Sequence, residues 1–184
     1  MKIRVGDILE IPTSSGLSYV LVVFDYQELP RYGKLVKVFN FKFKVRPTED
    51  RLVELVNGKE SFMSFIVFKD KEMHNSNIES IVNIGDQGYS YDNLPIMWVV
   101  KPAVDISKIS NKYPEIVVPY QEDIPKRIVL KKPGNSKDEK VLNQITPELS
   151  GLSSFSIGDI TALKLRLEQN YSPEKDLKFL WEKS

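Results

Sequence analysis

The side chains able to do chemistry are few and scattered. His74, in the polar stretch DKEMHNSN, is the single histidine of the 184-residue chain. A lone imidazole can act as a base, but without a second one a histidine metal site is not expected. There is no cysteine, so thiolate nucleophiles, disulfides and cysteine metal sites are excluded. Asp7 and Glu10 lie three apart, and Asp86 and Asp92 flank QGYSY. Acid–base work needs two carboxylates close in space, and turn capping explains the same pattern. NIGDQG has two glycines, but neither the lysine nor the helix of a phosphate loop follows. The serine of FSIGDI reads as a helix start, not as a nucleophile elbow. No cofactor, no metal and no catalytic residue are expected.

Two basic stretches could meet nucleic acid. FNFKFKVR interleaves phenylalanine and lysine, but alternation in a strand sends them to opposite faces, whereas a base-stacking platform shares its face with the positive charge. In PKRIVLKK, lysines on an edge strand would block edge-to-edge pairing. The formal net charge is +1, too small for a general nucleic-acid binder or a DNA mimic. Residues 1–125 hold 15 basic and 17 acidic side chains and the remainder 11 and 8, so neither part is strongly charged. A nucleic-acid partner is not expected.

The elements that must position these residues are mostly strands. YVLVVF lies in a β-branched run over residues 18–25, nearly continuous and so expected at the centre of a sheet. KLVKVFNFKFKV alternates, with Leu35, Phe39, Phe41 and Phe43 on one face. Further strands are expected at Ile8–Ile11 (ending at Pro12), 62–70, 79–85, 95–100 and, last, KRIVLKK. Six of the eleven prolines fall in residues 95–133, which favours extended, interrupted chain there. Then the period changes. Ile160, Leu163, Leu167 and Tyr171 share a helical face, with Ser156 or Asp159 as cap. Ser172 and Pro173 open a second helix carrying Leu177, Leu180 and Trp181. The expected fold is α+β: a bent antiparallel sheet or small barrel with two C-terminal helices. Its parts are a β-rich body over 1–132 and a helical hairpin over 133–184 packed on it. With 41% apolar residues a sizeable core is within reach. YVLVVF is the longest apolar run, far short of a membrane span. Asp7 and Glu10 interrupt the N-terminus, so it does not read as a signal peptide, and a reducing cytoplasm is the expected compartment.

GDILEIPTSSGLSYVLVV is similar to the opening of the Immunity protein 26 family of bacterial polymorphic-toxin systems. The matching positions are Gly6, Asp7, Ile11, Pro12, Gly16 and Tyr19. SIVNIGDQGYSYDNLPIMWV also resembles the family, through Ile84-Gly85 and Leu94-Pro95. Together the resemblance spans roughly residues 3–100. It implies a cytoplasmic antidote that binds a cognate protein toxin domain and blocks it without catalysis. Such a binder needs aromatic and arginine anchors on ordered loops. The loops YQELPRYG and GDQGYSYDNLP contain Tyr26, Arg31, Tyr32, Tyr89 and Tyr91, which are the expected contacts. RVGDILEI followed by YVLVV also resembles small-barrel endoribonuclease toxins, where an arginine-proline pair precedes the second strand; here that place is Leu17-Ser18, and an enzyme is not expected. A scaffold or adaptor module is a third reading.

Overall fold

A computed structural model describes residues 2–28, 32–102, 126–133 and 135–182. The fold is α+β. A six-stranded sheet is formed by β1 (Asp7–Thr13), β2 (Gly16–Tyr26), β3 (Gly33–Phe43), β4 (Phe62–Ile66), β5 (Glu79–Asn83) and β9 (Ile157–Gly158). Its order is β5-β1-β2-β3-β4-β9, with the long apolar β2 near the centre as its composition predicts. A second sheet of order β6-β7-β8 contains β6 (Met97–Pro102), β7 (Lys126–Lys132) and β8 (Asn135–Leu142). Four α-helices, α1 (Glu49–Val56), α2 (Asp70–Asn75), α3 (Ile160–Glu168) and α4 (Pro173–Glu182), and two single 3-10 turns at Tyr91–Asn93 and Pro147–Leu149 complete the described elements.

The first sheet stays open. Among the described residues β5 and β9 are its edges and do not pair with each other, so of the two expected forms it is the sheet and not the closed barrel. Register shifts between Ser18 and Val20, between Val22 and Phe24, and between Ile8 and Leu9 put bulges into the ladders. Each extra residue bends the strand and increases its twist.

Both faces of this sheet are buried. Leu9, Ile11, Val20, Val22, Val36 and Val38 point to one face and meet Ile160, Leu163 and Leu167 of α3. Ile8, Tyr19, Leu21, Leu35, Phe39 and Phe65 point to the other and meet Leu52 and Val56 of α1. The phenylalanines of β3 do share one face. Lys42 on the opposite face is not simply solvated: its ammonium donates to the Leu167 carbonyl at 2.7 Å, at the end of α3 where carbonyls lack helical partners.

Several elements differ from the sequence expectation. α1 has no counterpart among the expected elements, although Thr48 accepts from the Arg51 amide as N-cap and Glu49 and Asp50 favour its first turn. β4 ends at Ile66, and residues 70–75 form α2, so His74 is an exposed helical residue and not a loop one. β1 runs through Pro12 to Thr13; β5 stops pairing at Glu10, so no ladder bond on that side calls for the missing proline N–H. KRIVLKK is neither the last strand nor the expected edge strand, because β7 pairs with β6 on one side and with β8 on the other. The polar NSKDEKVL forms β8 because it folds back on β7, pairing Leu142 with Ile128 and Val141 with Val129. β9 pairs with β4 in parallel, so the sheet is not wholly antiparallel.

The two expected C-terminal helices are present. Asp159 caps α3, accepting from the Ala162 amide at 2.8 Å. Leu163, Leu167 and Leu177 are buried; the side chains of Leu180 and Trp181 lie outside the described residues. The segment before α3 ties the two sheets together. Ser153 accepts from the Met63 amide of β4 at 2.7 Å, and the Phe155 amide donates to the Trp98 carbonyl of β6 at 2.6 Å. No helix among the described residues is long and apolar enough to cross a membrane.

Candidate functional site

The start of β1, the end of β2, the start of β3 and the end of β5 meet at one end of the first sheet. Gly6 is central there. Its amide donates to Val22 at 2.8 Å and its carbonyl accepts from Ile84 at 2.9 Å. It has φ +88°, and a Cβ would lie 2.7 Å from the Gly85 nitrogen and closer still to its carbonyl oxygen. Gly6→Ala should therefore cost about 2 kcal/mol or more, from left-handed strain plus backbone collision. A chemical denaturation midpoint equal to wild type would contradict it.

The β5–β6 loop is built from local polar turns. Gly85 donates to Asn83 Oδ1 at 2.9 Å and Gly88 to Asp86 Oδ1 at 2.9 Å. Asn93 takes the Ser90 amide at 2.6 Å and donates to the Gly88 carbonyl at 2.7 Å. Short side chains that mimic backbone acceptors hold a loop without regular structure. The Tyr91 hydroxyl then accepts from the amides of Gln27 at 3.0 Å and Glu28 at 3.2 Å, which joins this loop to the one after β2. Tyr91→Phe keeps the ring and removes that latch. Hydrogen exchange at the Gln27 and Glu28 amides should speed up by about fivefold or more, the equivalent of one modest hydrogen bond; unchanged protection would show that the loops hold each other by ring packing alone.

The sequence-predicted contacts fare differently. Tyr26 is 2% exposed and is a core residue. Its ring lies 4.7 Å from Tyr32, 5.1 Å from Tyr91 and 6.0 Å from Phe65, centroid to centroid. Burial, together with Tyr32, Glu28 and Tyr91, pushes its phenol upward. Tyr32 is half-buried and packs edge-on against Phe155 at 5.1 Å. Tyr91 is 37% exposed and meets Phe24 edge-on at 5.0 Å. Tyr26, Tyr32 and Tyr91 thus belong to one aromatic cluster, whose Phe24, Phe65 and Phe155 were not foreseen as neighbours. Tyr89 is half-buried and lines a pocket whose wall includes Phe24 of that cluster, with the Lys37 ammonium 5.7 Å from its ring centroid. Arg31 lies outside the described residues.

No family model, no curated protein and no solved structure matches this chain.

Of the carboxylates raised by the sequence, Asp7 and Glu10 are occupied. Asp7 accepts from the Arg4 amide and from Asn83 Nδ2, both at 2.7 Å, and so fixes the turn before β1. Glu10 accepts from the Tyr19 hydroxyl at 2.7 Å and from Arg46 through Nε at 2.9 Å and Nη2 at 2.7 Å. Arg46 also reaches Glu79 at 2.6 Å. Burial disfavours the Glu10 charge, but the hydrogen bonds from Arg46 and Tyr19 outweigh it and hold the carboxyl below its usual range. Burial and the neighbouring Glu10 push the Tyr19 phenol well above its ordinary value. A carboxylate with both oxygens engaged and a lowered pKa is a poor general base at neutral pH. It is a fastener joining β1, β2, β5 and the segment after β3. Arg46 and Glu79 carried no sequence signal for this role, because Glu10 meets them only in the folded sheet.

Proposed function

We propose that this chain is an antidote, a non-catalytic protein that binds and blocks a cognate protein toxin domain in the cytoplasm, as its resemblance to the Immunity protein 26 family implies. The observation that carries the reading is the Tyr91 hydroxyl, which ties the tyrosine-bearing β5–β6 loop to the amides of Gln27 and Glu28 at one end of the sheet, beside Tyr26 and Tyr32. Pre-organised aromatic loops lose little entropy on binding and provide rigid anchors. The stretches that resemble the family, around Gly6-Asp7 and Ile84-Gly85, meet at the same end of the sheet. Tyr91, exposed, and Tyr32 and Tyr89, half-buried, are the contacts in this reading. Tyr26 acts from below, as the floor on which Tyr32 and Tyr91 rest.

The test is co-expression with the toxin domain encoded by the neighbouring gene. Wild-type chain should restore growth and co-elute with that domain. Tyr32→Ala and Tyr89→Ala should each weaken binding by about thirtyfold, or about 2 kcal/mol, with the fold retained by circular dichroism. Growth arrest despite abundant folded chain would reject the antidote reading, and unchanged affinity in both variants would place the interface elsewhere.

A further inference from the structure

Beside Tyr89 lies a pocket of about 240 Å³ lined by Val5, Val23, Phe24, Asp25, Asp86 and Tyr89. Its walls are of two kinds. Val5, Val23 and the Phe24 and Tyr89 rings are apolar, and Phe24 is steadied by Tyr91. Asp25 and Asp86 bring carboxylates. Asp25 pairs with its cross-strand neighbour Lys34. Asp86 uses one oxygen for the Gly88 amide and has no other partner among the described residues. Lys37, near the Tyr89 ring, is balanced by Glu60 at 4.0 Å. The pocket therefore carries a net negative charge beside aromatic rings.

We propose that this pocket receives a lysine or arginine side chain of the partner. Such a guest matches both kinds of wall: its methylene stem covers the valines and Phe24, while its cationic head meets Asp86 and the Tyr89 ring. An anionic guest would face two carboxylates, and a purely apolar one would bury the second oxygen of Asp86 without a partner. The inference rests on reading this end of the sheet as the partner surface, and it names the chemistry that the toxin must present there.

The probe is butylguanidinium chloride, titrated into the full chain and followed by amide NMR, with butanol as the neutral control. Saturable shifts are expected at the amides of Asp25, Asp86, Gly88 and Tyr89, and not with butanol. Asp86→Asn keeps an oxygen for the Gly88 amide, so the loop stays built while the charge is lost. Binding should then weaken by about fivefold or more. Shifts that never saturate, that butanol reproduces, or that persist unchanged in Asp86→Asn overturn the proposal. Because no toxin is present, a failed titration with intact growth rescue removes the pocket alone. A saturable titration with failed rescue removes the antidote reading alone.

Discussion

Truncation after Phe155 should abolish the cooperative thermal transition. The missing residues include α3, whose Ile160, Leu163 and Leu167 cover the sheet face formed by Leu9, Ile11, Val20, Val22, Val36 and Val38. Cutting one buried leucine back to alanine typically costs about 2–5 kcal/mol, and a whole domain has only about 5–15 kcal/mol of stability. Losing three such residues at once, together with the Asp159 cap and the β9 strand on β4, exceeds that margin. The truncated chain should bind a hydrophobic dye, lose its near-ultraviolet circular dichroism and aggregate on warming. Leu163→Ala provides the graded form of the same experiment. It should fold and lose about 3 kcal/mol, a shift of several degrees in Tm. A truncated chain that melts at the wild-type temperature would show that α3 and α4 are an appendage and not part of the core.

Glu10→Ala should be the most damaging single polar substitution, costing about 2–4 kcal/mol. It removes three hydrogen bonds to a side chain that is 6% exposed, and it leaves the fully buried Tyr19 hydroxyl without its acceptor. The same residue sets part of the acid sensitivity. Its folded pKa is lowered, so between the folded and unfolded values the unfolded chain binds more protons. The stabilisation is then fully present above about pH 4.3, the unperturbed carboxylate value, and is lost as the pH falls through the folded pKa. Glu10→Gln retains an amide oxygen for the Tyr19 hydroxyl but cannot titrate. Denaturant midpoints measured from about pH 2 to pH 6 should fall less steeply in Glu10→Gln than in wild type. Parallel curves would assign the acid limb to other carboxylates.

The strands of the first sheet were legible wherever period two or an apolar run was strong, as at Val20–Val23 and Leu35–Phe43. α3 was legible from its spacing and from Asp159. α1 was legible in principle, since Thr48, Glu49 and Asp50 precede Leu52 and Val56. β8 and β9 were not legible, because NSKDEKVL has no alternation and Ile157–Gly158 is two residues long. Their strand state comes from the neighbours they pair with. The anchors show the same division. All of the tyrosines in the two loops have the composition of contact residues, yet Tyr26 is core, because Phe65 and Tyr32 pack around it.

By itself, then, the chain's order of residues determined the α+β class, the centre of the main sheet, the helix that carries Ile160, Leu163 and Leu167, and the absence of any thiol chemistry; that the helix stops at Glu168, short of Tyr171, it did not. These depend on interactions within a few residues, where alternation, caps and side-chain type act directly on the backbone. Only the tertiary structure decided that Glu10 belongs to Arg46, that Gly6 must pass against Gly85, and that Tyr91 holds the loop after β2. Burial and ion pairing depend on which distant segments meet, and that is set by sheet order, bulges and the covering helices acting together. A carboxylate or a tyrosine has the same local signature whether it ends in a fastener, a core or a binding surface; its neighbours in space determine which.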